Sequence, residues 1–324
     1  MMLKFILKRL VIGVFLLVGM SFLSFWLMHI TPGNFFDNLK LNPQISQETV
    51  TRYEKLYGLD KPFLVQYGHW LLNVCRGEFG YSFFYNVPVS HVIVSRLGNT
   101  FILSFFSLLL TWALAIPLGI WAALRHNRFI DRFLSLCSFA AFSTPSFFLA
   151  ILILYIISQW GILPLGGMHS PHYEDLSWFA KILDLAAHLL IPTVVLALGS
   201  MASLQRIMRG NMLFVLRQQY IVAARAKGLS EKQIIYQHAL RNAFNPMITL
   251  LGFELSGLLS GAALVEIVCS WPGLGSLMLT AVRSKDVYVV MAELLLTSFL
   301  LLVGNFLADI SLARLDPRIS YAKS

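Results

Sequence analysis

Six runs of about twenty or more predominantly apolar residues divide this chain, and they limit its fold more than any other feature. A helix rising 1.5 Å per residue needs about 20 apolar residues to cross a hydrocarbon core. Because lipid offers no hydrogen-bond partners, a spanning segment of this kind satisfies its backbone internally as a helix. The runs are Leu10–Ile30, Thr100–Leu124, Phe133–Trp160, Leu185–Leu204, Phe244–Ser270 and Val287–Leu312. The last two carry Glu254, Glu266, Glu293 and Asp309, which weakens their signal without removing it. Composition agrees: 57% of residues are hydrophobic and 13% charged, with a mean hydropathy of +0.70. A soluble domain carries roughly a quarter charged residues. The expected class is therefore an all-α polytopic membrane protein with six spans.

Orientation follows from Lys and Arg placement. With the N-terminus inside, sixteen of the basic residues fall on the inner side and nine on the outer, the latter spread over longer loops. The short loop RHNRFIDR (Arg125–Arg132) is basic, whereas the loop holding Glu174, Asp175 and Asp184 is acidic. Both termini are then cytoplasmic. The net charge of +9 reads as a topology signal and not as a nucleic-acid surface. The first run is too long for a cleaved signal peptide and ends in HITPGN without a small-residue cleavage pattern, so it reads as a retained anchor. Cys137 lies within an apolar run, which speaks against a disulfide framework. A single Cys75–Cys269 bridge is open but not expected. The outer loop contains SQETVTRYEKLYGLD, a short helix with Ser46 as its expected N-cap.

One segment is out of place. YIVAARAKGLSEKQIIYQHALRNAFNP (Tyr220–Pro246) is basic and helix-forming, yet lies between two apolar runs. Gly228 after Lys227 marks a helix C-terminus, and Ser230 with Gln233 has the capping-box spacing of a new start. The second helix is predicted from Glu231 to about Asn242, ending before Pro246. Its apolar face holds Ile235, Ala239 and Ala243 with Tyr236 and Leu240; Lys232, Gln237, His238 and Arg241 lie opposite. Two readings stand on residues alone: an amphipathic pair lying on lipid, or a plug for a groove on a cytoplasmic partner. The small Ala223, Ala224 and Ala226 favour close protein contact.

AARAKGLSEKQIIYQHALRNAFNP resembles the cytoplasmic signature of binding-protein-dependent ABC-transporter permeases, in their oligopeptide/dipeptide branch. Val222 stands where the wider superfamily has Glu. Similar stretches follow in order: KRLVIGVFLLVGMSFLSFWLMHITPGN, YGLDKPFLVQYGHWL, GEFGYSF, VEIVCSWPGLGSLMLTAVRSKDVYVV and the LARLDPRIS tail. The resemblance implies a type I ABC importer (MetI-like) fold in a bacterial inner membrane. It implies an N-terminal helix at 1–30, an extracytoplasmic loop at 31–95, a permease domain at 96–313 with its coupling segment at 220–246, and a tail at 314–324. Ala223, Ala224, Arg225, Ala226, Lys227, Gly228 and Leu229 would form the coupling element docking into an ATPase cleft. The implied partners are a second, related permease subunit, two cytoplasmic ATPase subunits and an extracytoplasmic substrate-binding protein. The implied cycle is alternating access, with ATP used by the partners and no cofactor in this chain. Peptides are the expected cargo, with nickel complexes, sugars and antimicrobial peptides carried by close relatives.

Other candidates are weaker. Trp271 in SWPGLG reads as an interface anchor, or, with Pro272, Gly273 and Gly275, as an outer gate loop of the resembled family. Glu254 and Glu293 lie well inside their runs and are candidates for facing the pathway, since buried carboxylates avoid lipid; Glu266 and Asp309 lie near run ends and read as structural. Gly257 and Gly261 have the spacing of a close helix contact, and Pro117, Pro145, Pro192 and Pro246 can kink helices. His169 and His172 lack a third ligand and read as loop residues before a metal site. An intramembrane enzyme is the alternative from another class, but no metalloprotease, nucleophile-elbow or Cys-dyad motif appears. No phosphate-binding Gly-x-x-x-x-Gly-Lys-Ser/Thr loop appears either, so power is expected from another subunit.

Overall fold

In the computed structural model, the described residues are 2–30, 61–247, 250–251 and 263–315, with Glu48, Lys55, Gly58 and Asp60. The expected Ser46 cap and most of its helix, together with Glu254, Gly257 and Gly261, lie outside them. The described structure is almost wholly helical. Its contacts separate into two units, Met1–Asn99 with Gly273–Leu302 and Thr100–Pro272 with Val303–Ser324.

In the first unit, α1 (Met2–Ile30) lies against α2 (Phe63–Cys75). Phe25, Tyr67, Trp70 and Met291 form a buried aromatic cluster between them and the last helix. The Tyr67 hydroxyl reaches Ser21 Oγ at 2.9 Å and donates to the Val18 carbonyl, so its polar end is satisfied within the helix groove. A two-stranded hairpin follows, β1 (Tyr81–Ser82) with β2 (Val87–Pro88). It is pinned by buried Asp286, which accepts from Ser82 Oγ at 2.6 Å and from Phe84 N–H at 3.1 Å. Gly80, at φ +96°, presses against the Tyr288 ring, where a Cβ would lie 2.9 Å from ring carbons. The second core of this unit joins Val89, Val92 and Ile93 to α10 (Leu274–Arg283) and to Val289, Val290 and Ala292 of α11 (Val287–Leu315).

Helix α3 (Val89–Leu124) begins eleven residues before the expected span, because Val89, Val92 and Ile93 are buried and continue the apolar pattern. In the second unit, α6 (Trp178–Leu216) is the longest element and extends the expected Leu185–Leu204 run at both ends. Ser177 caps it by accepting from Ala180 N–H. The expected span Phe133–Trp160 is instead two helices, α4 (Phe129–Ser143) and α5 (Ser146–Trp160), bent by 104°. Pro145 supplies the break, since the residue before a proline is driven out of the helical region, and Thr144 is extended at ψ 123°. Both pack on α6, and α5 also packs on α9 (Ala263–Val268). Among the described residues four helices can cross a membrane, or five with the bent pair as one span. The fifth expected span, Phe244–Ser270, lies outside the described residues at 248–249 and 252–262.

Two buried contacts hold α6 in place. A Cβ on Gly119 of α3 would lie 2.8 Å from both the Gln205 carbonyl oxygen and Met208 Cβ, so the two backbones touch there. Close approach through a small residue is how helices associate where no hydrophobic effect separates lipid from protein. Asp131 of α4 receives a two-pronged bond from Arg209 of α6, Nε to Oδ1 at 2.6 Å and Nη2 to Oδ2 at 2.8 Å. The Asn127 N–H adds a third donor at 2.9 Å. Cys75, Cys137 and Cys269 are all free thiols, so no Cys75–Cys269 bridge forms.

Gly119→Ala should destabilise the detergent-solubilised protein by about 1–3 kcal/mol, because neither backbone can yield. Gly98→Ala, in the same helix with nothing within 4 Å of its Cβ, should be neutral or stabilising by roughly 0.5–1 kcal/mol. Thermal unfolding followed by intrinsic fluorescence distinguishes the two.

Candidate functional site

The segment Tyr220–Pro246 folds as an elbow. Helix α7 (Gln219–Ala226) ends at Lys227, and Gly228 takes φ +81°, a left-handed value that favours glycine. Gly228 N–H donates to the Arg225 carbonyl at 2.9 Å and Leu229 N–H to the Ala224 carbonyl at 3.3 Å. This pair of bonds is the Schellman closure of a helix end. Two residues later Ser230 caps α8 (Glu231–Gln233): its Oγ accepts from Gln233 N–H, and its own N–H donates to Gln233 Oε1 at 3.2 Å. The helix–Gly–helix expectation therefore matches the backbone in detail.

Two side-chain ties brace the elbow. Arg225 donates to both carboxylate oxygens of Glu231, at 2.8 and 3.2 Å, across the glycine break. Asn242 Nδ2 donates to the Tyr220 hydroxyl at 2.8 Å and to the His238 carbonyl, joining the far ends of the two arms. Arg225 holds the Glu231 carboxyl below its ordinary range, and the pairing raises Arg225 in turn.

The second arm departs from the expected pattern. After α8 it is π-helical over Ile234–Ala239 and returns to α-helix over 240–247. The wider turn puts Ile234 and Ala239, five residues apart, on one face; Ala243 and Met247 then follow at intervals of four. All four are fully buried, with Ile221 and Ala224 of α7, against Met208, Met212 and Val215 of α6. Tyr236, expected on the apolar face, is exposed, and Ile235 and Leu240 are half-buried. Uniform 3.6-residue spacing misplaces them, because a π stretch rotates every later side chain and leaves no mark in the hydrophobic pattern. The arm also runs beyond the expected stop near Asn242. Asn242 and Pro246 lie on the exposed face, where water can meet the carbonyl that Pro246 cannot bond, while buried Ala243 and Met247 hold the helix in register.

Of the seven expected coupling residues, Ala224 is turned into the core and the other six are exposed. Val222, Leu229 and Tyr236 add large apolar groups to the same exposed elbow.

The remaining candidates are placed as follows. Trp271 is fully buried in a cluster with Leu103, Val195 and Val265, and its backbone N–H donates to the Glu266 carbonyl at 2.7 Å. The turn is tight, with Ser270 at φ +52° and the Gly167 N–H donating to the Cys269 carbonyl. Gly273 occupies the N-cap position of α10, and Gly275 lies in its first turn. Glu266 is buried and accepts from Thr100 Oγ1 at 2.9 Å, in line with a structural role. Glu293 is 3% exposed. His169 stacks on Tyr173 with ring centroids 3.8 Å apart, and His172 pairs loosely with Asp175. Among the described residues no group of three metal-ligating side chains occurs.

Residues 115–321 match the family described as the binding-protein-dependent transport system inner membrane component, and residues 2–104 match its N-terminal region. The chain belongs to this family. It is 38% identical over 322 residues to the oligopeptide transport system permease protein AppB of Bacillus subtilis, covering 99% of this chain and all of the relative. It is 32% identical over 339 residues to the dipeptide transport system permease protein DppB of Escherichia coli K12, covering 99% of this chain and all of that protein. An inward-facing MetNI methionine ABC transporter superposes with a TM-score of 0.53 at 17% identity, over 70% of this chain and 97% of that one. An amino acid ABC transporter superposes at 0.51, also at 17% identity, over 69% and 94%. The permease is thus an ABC-importer membrane subunit of the peptide branch, with a MetI-like fold. It is a multi-pass inner-membrane transport component and not an enzyme.

The Arg225–Glu231 tie gives the elbow a pH dependence. Because Arg225 depresses the Glu231 pKa, the tie's contribution is present above the ordinary carboxylate pKa and lost as pH falls through the lowered value. Spin labels on exposed Ala226 and Lys232 should show a distance distribution that broadens as the medium is acidified through that range. Glu231→Gln should be broad at every pH, and the change should be small because the pair is exposed.

Proposed function

We propose that this permease forms part of the translocation pathway of an importer for di- or oligopeptides and takes its motion from separate ATPase subunits docking on the 220–246 elbow. One observation carries the reading. A helix pair resting on lipid turns its bulky apolar face outward. Here Ile221, Ile234 and Met247 are fully buried within the chain, and the exposed surface is uneven, with small Ala223, Ala226 and the Gly228 turn set among Val222, Leu229 and Tyr236. Such a surface suits insertion into a protein cleft. The braces across Gly228 make the elbow stiff enough to pass a push on to α6, against which its buried face is packed.

The peptide cargo is supported by the oligopeptide and dipeptide permeases among its relatives. The proposed assembly has a second, related permease subunit, two ATPase subunits that use ATP, and an extracytoplasmic receptor; this chain itself needs no cofactor. In the proposed arrangement of six spans with both termini in the cytoplasm, the elbow would lie on the ATPase side. The loop Trp271–Gly275 is the proposed outer gate, and Glu254 and Glu293 are proposed pathway carboxylates. For Glu293 that role requires a state in which its present burial is relieved.

Gly228→Val should insert and assemble normally, yet lose peptide uptake and peptide-stimulated ATP hydrolysis by roughly tenfold or more. No atom lies within 4 Å of an added Cβ, so the effect comes from backbone strain of order 1–3 kcal/mol. Unchanged uptake with unchanged ATPase co-purification in proteoliposomes overturns the docking role.

A further inference from the structure

We infer that the first unit holds a binding site for a short zwitterionic peptide, in a cavity of about 600 Å³ walled by α2, the hairpin and the start of α11. The size falls within the ~300–1,000 Å³ range of small-molecule sites. Of its described lining, Phe25 of α1, Ser90 of α3 and Val287 and Tyr288 of α11 fall within candidate spans. Its described lining carries both signs of charge: Lys55, Lys61 and Lys285 on one hand, Glu78 on the other. A free peptide carries one carboxylate and one ammonium, so this lining can meet both termini. The excess of lysines favours the carboxylate as the principal anchor.

Two aromatic walls shape the site. Trp70 is 4% exposed and lines the cavity. The Tyr288 ring, fixed against Gly80, forms an apolar wall where a peptide side chain can lie. An amphipathic lining with few polar groups is the usual composition of a ligand pocket. The site rests on the peptide-importer reading, in which it receives cargo before the pathway opens. None of its described lining residues belongs to the elbow.

The experiment uses the assembled transporter in lipid nanodiscs, without receptor or nucleotide. Trialanine and trialanine amide are titrated by calorimetry. Trialanine should bind saturably, and the amide roughly tenfold more weakly, because the charge-assisted bond to lysine is lost. Lys61→Gln with Lys285→Asn should bring the acid down to the level of the amide while leaving amide binding and basal ATP hydrolysis unchanged. Asparagine is chosen at 285 because that residue sits at φ +56°, a region asparagine tolerates. Absence of saturable binding, equal binding of acid and amide, or binding indifferent to the lysine changes overturns the site. Protection of these lysines from acetylation by peptide-free receptor, with none by trialanine, overturns it in favour of a receptor contact. Failure here with peptide-stimulated ATP hydrolysis intact removes only the site; loss of ATPase attachment at the elbow removes the importer reading itself.

Discussion

Every long element of this permease answers to one constraint, which is that a backbone placed in hydrocarbon has only itself to bond with. That requirement makes the apolar runs helices. It also turns each departure from regular helix into a local problem of hydrogen bonding. The break at Thr144–Pro145 is met by a sharp bend, with the Phe148 and Leu149 amides bonding the Pro145 carbonyl to start α5. Polar groups carried inward are treated in the same way: Asp131 gathers three donors, and Glu266 takes a bond from Thr100.

The elbow uses the opposite circumstances. Outside the lipid, water can serve a helix end, yet the chain closes the Gly228 turn with its own amides and then caps the next helix with Ser230 and Gln233. Braces from Arg225 to Glu231 and from Asn242 to Tyr220 leave the two arms little freedom. A flexible loop would absorb a displacement; a braced turn seated on Met208, Met212 and Val215 would pass it to α6 under the proposed coupling role. The π-helical stretch allows both arms to share that seat, because it rotates Ile234 onto the face that Ala239, Ala243 and Met247 occupy.

Local chemistry was the most readable part of the site. Gly228 and the Ser230–Gln233 spacing announce their geometry through backbone preferences that hold wherever the residues occur. The identity of the buried face was less readable. Tyr236 stands exposed and Ile234 takes a place on the buried face because of one wide turn, and no residue in IIYQHA specifies an i→i+5 bond. Trp271 shows the same limit from another direction. An aromatic beside a Pro-Gly turn at a span end suggests the interface, but Leu103, Val195 and Val265 close around it. The start of α3 and the end of α6 also exceed their apolar runs, since burial of Val89, Val92 and Ile93 in one and of Met208, Met212 and Val215 in the other extends a helix past the point where hydropathy fades.

By itself the sequence determined that the chain is a bundle of membrane helices with a basic elbow broken at Gly228. Both follow from short-range physics: the transfer of apolar side chains into lipid, and the backbone preferences of single residues. Tertiary structure decided which faces are buried, where the bent pair turns by 104°, and how close α3 and α6 approach at Gly119. Those outcomes depend on which surfaces meet across many residues of chain, and neither hydropathy nor local preference carries that information.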